Sequence, residues 1–271
     1  MNIFSTLRDW VVPREIEEKF ERTPKSLGSY RYDPWGYHPD TAVVSLTVVK
    51  QFFDYYFRVE TEGIENIPKE GRALIIANHS GQLPIDGILI GTAMATADNP
   101  RLARAMVERF FPTVPFVGNF LNQTGAVIGD PINCVRMLEN EEAVIVFPEG
   151  IRGSGKLWQD RYQLKRFGNG FLHIAMATGT PIIPVGVVGC EETIPSAANL
   201  KPLANLLGLP YFPLALPVVL PAKVHLQFGE PLFFENDAED EDAVTARVEQ
   251  VKTAITGLIQ KGLVKRKGVF V

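Results

Sequence analysis

The chain has 271 residues, of which 46% are hydrophobic and 21% are charged, and its formal net charge is −4. The apolar fraction is sufficient for a sizeable core and too high for a disordered protein. The acidic balance argues against general nucleic-acid binding, for which a basic chain is expected. Cys134 and Cys190 form neither a disulfide framework nor a zinc-ligand spacing, so we expect two buried structural thiols.

Residues 1–56 are predicted to form an N-terminal helical segment that rests on a membrane or on the domain that follows, residues 57–271. The first residues lack the basic-then-apolar plan of a secretory signal. Residues 41–57 are rich in Val, Leu and Phe, but Lys50 and Asp54 argue against a membrane span. Residues 202–222 carry no charge, yet five prolines interrupt them, which predicts an irregular apolar loop that packs on the domain or dips into a membrane surface.

After residue 57, short apolar runs alternate with helical patterns. A helix with one apolar face is the clearest element at the C-terminal end, because Val244, Val248, Val251, Ile255 and Ile259 recur at three- and four-residue spacing. Alternation of this kind predicts an α/β fold with a mostly parallel central sheet flanked by helices. The strands are predicted at 73–77, 125–128, 143–147, 182–188 and 223–228, and helices at 86–97, 131–141 and 168–178.

His79 and Asp86 stand out in the stretch that follows the first of these strands. A continuous helix would separate them by about 10 Å, and Pro84 makes such a helix improbable. We therefore expect the loop to fold back and a helix to begin near Pro84, which suits a first helical position. The Asp86 carboxylate would then fix one imidazole nitrogen and leave the other free to accept a proton.

A second polar segment, 147–156, follows the predicted strand at 143–147. It contains Glu149, Gly150 and Arg152, and ligands bind at the carboxyl ends of strands in open α/β sheets. The guanidinium of Arg152 suits a phosphate or carboxylate, and Gly150 allows close backbone approach. The segment lacks the Gly-Lys-Ser/Thr ending of a P-loop, so nucleotide hydrolysis is not expected.

Taken together, these segments resemble the phospholipid/glycerol acyltransferase family, the relatives of 1-acylglycerol-3-phosphate acyltransferase. The matching blocks lie in the family's order: 78–79 with Asp86, 125–128, 147–152 and 181–185. The resemblance implies a thioester donor, acyl-CoA or acyl carrier protein, and a lipid hydroxyl acceptor. It implies that His79 deprotonates the hydroxyl, that Asp86 orients His79, and that Gly125, Glu149, Gly150 and Arg152 bind substrate. Neither a metal, nor another cofactor, nor a covalent acyl-enzyme is implied.

Two departures from the family pattern bear on the acceptor. Six residues separate His79 from Asp86 where the family usually has four, which resembles a sub-branch of diacylglycerol and lysophospholipid acyltransferase-like proteins. Pro131 stands where the family's glycine block usually carries an arginine, six positions after Gly125. The missing charge disfavours lysophosphatidate and favours a lysophospholipid or an acylglycerol.

The leading hypothesis is therefore a membrane-associated O-acyltransferase of glycerolipid or phospholipid synthesis, peripheral or monotopic on the cytoplasmic face. One alternative is a lipid esterase or thioesterase, although no Gly-x-Ser-x-Gly nucleophile motif is present. Another is a non-catalytic lipid-binding membrane adaptor. We expect His38, His173 and His225 to be structural, and Glu191 and Glu192 are weaker candidates for lining the pocket.

Overall fold

The computed structural model describes residues 3–23, 27–28, 30–80, 83–109, 116–206, 212–215, 217–237 and 240–271. Within these ranges a seven-stranded sheet forms the centre, in the spatial order β1-β9-β6-β2-β5-β3-β4. The five strands from β6 to β4 are parallel, and β9 with β1 runs opposite to them. The strands are β1 (Glu60–Glu62), β2 (Ala73–Ala77), β3 (Ala103–Val107), β4 (Ala126–Ile128), β5 (Ala143–Val146), β6 (Ile182–Val188) and β9 (His225–Phe228), with a separate antiparallel pair β7 (Ser196–Asn199) and β8 (Pro213–Ala215).

Helices cover both faces of this sheet. One face packs against α4 (Ile85–Thr96), and the other packs against α6 (Pro131–Glu139), α8 (Gly170–Thr178) and α10 (Glu241–Lys265). Every residue of β2 and β6 is buried, as expected for parallel strands with helices on both sides. The predicted α/β fold with a mostly parallel sheet is confirmed. Shorter helices are α5 (Val117–Gln123), α7 (Ile151–Ser154) and α9 (Lys201–Leu206).

The C-terminal helix α10 follows its sequence pattern closely. All five residues of the predicted apolar stripe are buried. The Asp240 side chain caps the helix by accepting a hydrogen bond from the amide of Ala243 at 2.8 Å.

The strand β3 was not predicted. Arg104 interrupts its apolar run, yet this arginine is buried because it forms ion pairs with Asp33 and Glu142. Ion-pair partners so distant in sequence cannot be inferred from the local pattern, so the pattern did not predict this strand. The strand β1, the helix α5 and the β7–β8 pair are also absent from the prediction.

The N-terminal segment is helical, with α1 (Ile3–Val11), α2 (Arg14–Glu21), α3 (Pro39–Gln51) and a π-helical turn at Phe52–Tyr56. Phe53 and Phe57, around the predicted boundary at residue 57, are buried in the same core as β2. The division of the chain into two parts stays a prediction.

The apolar stretch 202–222 contains the end of α9 and the strand β8, while residues 207–211 and 216 lie outside the described ranges. Among the helices that are described, none combines the length and the hydropathy needed to cross a bilayer.

Candidate active site

The loop after β2 carries the imidazole, and one side chain fixes where that loop begins. Asn78 is fully buried and continues the strand pairing with its amide. Its Nδ2 donates to the carbonyl oxygen of Val187 at 3.0 Å, and its Oδ1 accepts from the amide of Val187 at 2.7 Å. The chain therefore leaves the sheet at a defined point, and His79 follows at the carboxyl end of β2.

His79 and Asp86 meet despite the six residues between them. The Nδ1 of His79 lies 2.7 Å from Oδ2 of Asp86. Because a carboxylate only accepts, Nδ1 carries the proton and Nε2 is the free base. Asp86 is wholly buried at the start of α4, and its carboxylate also accepts from the amides of Ser80 and Gly87, each at 2.7 Å. The predicted folding back of the loop and a helix start beside Pro84 are confirmed.

Opposing effects act on the pKa of His79, whose side chain is only 13% exposed. Burial is the largest single effect and lowers the pKa, because it disfavours the charged imidazolium. The charge and hydrogen bond of Asp86, with the charge of Glu149, outweigh it, so the pKa is raised above its ordinary value of 6.5. The imidazole is a stronger base than a free histidine.

The segment after β5 packs directly on the imidazole. The ring of Phe147 stacks on that of His79, with centroids 4.4 Å apart. The backbone then turns at Gly150, where φ is 53°, and enters α7. A Cβ at Gly153 would lie 2.7 Å from the Cβ atoms of both His79 and Glu149, so only glycine permits this approach.

Glu149 was expected to bind substrate, but it is not among the residues that line the cavity beside His79. Its side chain is buried, and its carboxylate accepts from the amide of His79 at 2.9 Å and from the amide of Lys165 at 2.7 Å. Both oxygens are engaged within the protein. The prediction that Glu149 binds substrate stays a prediction, and in the structure its carboxylate holds the backbone on which His79 is mounted.

Glu149 belongs to a buried cluster of charged side chains that the sequence analysis did not predict. Lys156 is 6% exposed, and its Nζ lies 3.0 Å from Glu149 and 3.1 Å from Glu191. Burial raises the pKa of Glu191, although Lys156 acts in the opposite direction. Glu191, named from the sequence as a weaker candidate for lining the pocket, is not among the residues that line the cavity. The sequence contained one signal for this cluster, namely two acidic residues after one strand and a glycine-rich basic loop after another. It did not show which acidic residue pairs with which basic residue.

Glu192 also lies outside the cavity. It is buried and forms an ion pair with Arg266, just after α10. His38 and His225 are buried away from the His79 site, and His173 is partly exposed on α8.

A cavity of about 460 Å³ opens beside His79. Ala105 and Met106, whose side chains leave β3 on opposite faces, both line it, so the cavity reaches both faces of the sheet. Its wall is mainly apolar and includes Leu46, Val49, Ile88, Cys134, Phe171 and Ile174. An apolar space of this kind suits an aliphatic chain.

The remaining candidates divide between the wall and the surface. Gly125, with φ of 104°, and Gly150 both line the cavity. Arg152 is exposed on α7 and does not line it. In the described part of the chain no group of three His, Cys, Asp or Glu side chains is placed to hold a metal ion.

Residues 58–188 match the model of the acyltransferase family. An uncharacterized protein of Mycobacterium tuberculosis is 37% identical over 263 residues, which cover 90% of this chain and 72% of that protein. The chain belongs to the acyltransferase family. It is thus an acyl-transferring enzyme, and this agrees with the resemblance found in the sequence.

Two further proteins are similar to this chain, one in sequence and one in fold. The Bos taurus protein named "DGAT1/2-independent enzyme synthesizing storage lipids" is 28% identical over 206 residues, which cover 74% of this acyltransferase and 59% of the bovine protein. The crystal structure of the 1-acyl-sn-glycerophosphate acyltransferase PlsC from Thermotoga maritima shares the fold, with a TM-score of 0.56 and 19% identity over 98% of this chain and 95% of that one.

Proposed function

We propose that this acyltransferase moves a fatty acyl group from acyl-CoA or acyl carrier protein to a lipid hydroxyl, with His79 as general base. Nε2 of His79 takes the hydroxyl proton while the oxygen attacks the thioester carbonyl carbon. The tetrahedral intermediate collapses, the carbon–sulfur bond breaks, and the imidazolium returns the proton to the departing thiolate. The products are an oxygen ester and a free thiol, so atoms and charge balance.

The observation that carries this proposal is the His79–Asp86 pair on the wall of an apolar cavity. Such a pair fixes the tautomer and supports the imidazolium that forms during the reaction. A positioned base of this kind typically accelerates a reaction by about 10²–10⁴-fold. Binding alone would require neither the buried carboxylate nor the hydrogen-bond donors around it, which counts against a non-catalytic adaptor.

The substrate roles of the other candidates follow from where they lie. Gly125 and Gly150 present backbone atoms to the cavity that they line, and the cavity accommodates the fatty chain. The exposed guanidinium of Arg152, two residues past Gly150, is suited to a phosphate carried by one of the substrates.

The esterase alternative has less support. Ser154, the serine nearest to a nucleophile motif, is buried and its hydroxyl donates to the carbonyl of Ile151 at 3.3 Å. A serine hydroxyl turned back into its own helix is poorly placed to attack a substrate. Hydrolysis by water bound at His79 remains the alternative that product analysis distinguishes.

Peripheral membrane association, expected from the sequence, is supported by exposed apolar side chains. Trp10 on α1 is 88% exposed and Phe116 before α5 is 92% exposed. Phe120, on the helix α5, lines the cavity while being partly exposed. We therefore propose that α1 and the start of α5 enter the membrane interface, which would let lipid substrates reach the cavity without crossing water.

The decisive experiment incubates purified protein with isotope-labelled acyl-CoA or acyl carrier protein and a panel of lipid alcohols, followed by lipid mass spectrometry. We expect labelled oxygen esters, and a loss of at least about 10²-fold in kcat/KM for His79→Ala. His173→Ala is the matched control, because His173 is an exposed histidine on α8 outside the cavity. Labelled free fatty acid without ester would favour the thioesterase, and full activity of folded His79→Ala would refute the base assignment.

A further inference from the structure

The charges on the cavity wall bear on which lipid alcohol is accepted, a question that rests on the proposed function. Among the described residues that line the cavity, the ionisable side chains that carry charge are His79, Glu108 and Asp130, and no lysine or arginine is present. The wall is therefore acidic apart from the catalytic imidazole.

Glu108 is an exposed acidic residue that lines the same cavity as His79. It follows β3, and its Oε1 would lie 3.4 Å from a Cβ built on Gly150. Gly150 in turn accepts a hydrogen bond from the amide of Gly153 at 2.8 Å, and Gly153 packs against His79. The carboxylate of Glu108 therefore lies next to Gly150, in the segment that packs against His79.

The second acidic residue is already neutralised. Asp130 caps α6 by accepting from the amide of Ile132 at 3.0 Å, and it pairs with Arg109 at 2.9 Å. Glu108 has no ion pair with any described residue. Pro131, which also lines the cavity, adds no positive charge at the first position of α6.

We infer that the acceptor is an uncharged acylglycerol and that Glu108 discriminates against lipids that carry a phosphate monoester. A phosphate monoester carries about −1.5 to −2 charges at neutral pH, and a carboxylate on the wall of the cavity that holds His79 repels it. A glycerol hydroxyl, in contrast, donates a hydrogen bond to the same carboxylate. The apolar cavity reaching both faces of the sheet accommodates the aliphatic chains that such an acceptor brings.

The test compares monoacylglycerol, diacylglycerol, lysophosphatidate and lysophosphatidylcholine as acceptors in mixed micelles of an uncharged detergent. We expect kcat/KM for the best acylglycerol to exceed that for lysophosphatidate by at least about ten-fold. Glu108→Gln should narrow this ratio about five- to ten-fold at low ionic strength, and Glu108→Lys should narrow it further. The change should shrink at 0.15 M salt, where charges are screened over about 8 Å.

Glu139→Gln is the control, since it removes one negative charge from an exposed position on α6 that does not line the cavity. It should leave the ratio unchanged. Preference for lysophosphatidate or lysophosphatidylcholine, or a ratio that Glu108→Gln does not move, would overturn the inference while His79-dependent ester formation upholds the proposed function. Absence of ester from every acceptor would overturn both.

Discussion

Replacing Asp86 by asparagine tests the catalytic pair with little change in shape. The carboxylate accepts from Nδ1 of His79 and from the amide of Ser80 through Oδ2, and from the amide of Gly87 through Oδ1. A carboxamide has a single accepting oxygen. If that oxygen faces His79, the amide group of the new side chain opposes the N–H of Gly87, at about 1–3 kcal/mol for an unpaired buried donor. If it is turned round, it donates to Nδ1 and moves the imidazole proton to Nε2.

Either orientation harms catalysis. The first removes the carboxylate charge that supports the imidazolium, and in the second a protonated Nε2 cannot accept the hydroxyl proton. We expect kcat/KM to fall by about 10²–10⁴-fold, the typical contribution of a positioned base. That range corresponds to about 2.7–5.4 kcal/mol of lost transition-state stabilisation. The pKa of His79 should also fall, because the charge and hydrogen bond of Asp86 are what raise it against burial.

The assay is initial-rate ester formation across a pH series, with the folded state verified by circular dichroism. The variant should show a lower rate and an acid limb displaced to lower pH than in the wild type. A slow variant whose acid limb stays in place would show that Asp86 does not set the basicity of His79. Wild-type rates in folded Asp86→Asn would remove the pair from the mechanism altogether.

Three further predictions concern the same site. Although burial lowers it, the pKa of His79 is raised by Asp86, so wild-type kcat/KM should increase with pH through a midpoint above 6.5. Over the same pH range the melting temperature of the wild type should fall. The imidazolium–carboxylate pair stabilises the folded protein fully below the pKa that His79 has in the unfolded chain, and this stabilisation is lost as the pH rises through the pKa of His79 in the folded protein. Calorimetry of His79→Ala should not show this pH-dependent part of the melting temperature. Lys156→Met should lower the free energy of unfolding by about 3–5 kcal/mol in urea titrations, since it leaves Glu149 and Glu191 buried without their cation, and Lys156→Met with Glu191→Met should recover part of that loss; an unchanged midpoint for the single variant would contradict the buried cluster. Gly153→Ala should reduce kcat/KM about a hundred-fold by displacing His79, whereas Gly257→Ala, where an added Cβ meets no atom within 4 Å, should match the wild type.

The sequence by itself determined the central strands of the sheet, the C-terminal helix and the place of the base. The strands β2, β5 and β6 are nearly continuous apolar runs because both their faces are covered, and α10 displays its buried stripe directly in its spacing. His79 and Asp86 could be paired because Pro84 disfavours a continuous helix between them. These features depend on neighbours within a few residues, so they can be inferred without knowledge of distant contacts.

Only the tertiary structure decided how the charged residues are used. Glu149 and Lys156 come from the segment 147–156 and Glu191 lies just after β6, and the one cation is shared between the two carboxylates in the interior. The carboxylate of Glu149 thereby supports the backbone of His79. Arg104 is a buried residue of β3 for the same reason, because it pairs with Asp33 and Glu142. Whether an ionisable side chain faces solvent, substrate or a buried partner depends on which opposite charge the fold brings within about 4 Å, and nothing local in the chain encodes that distance.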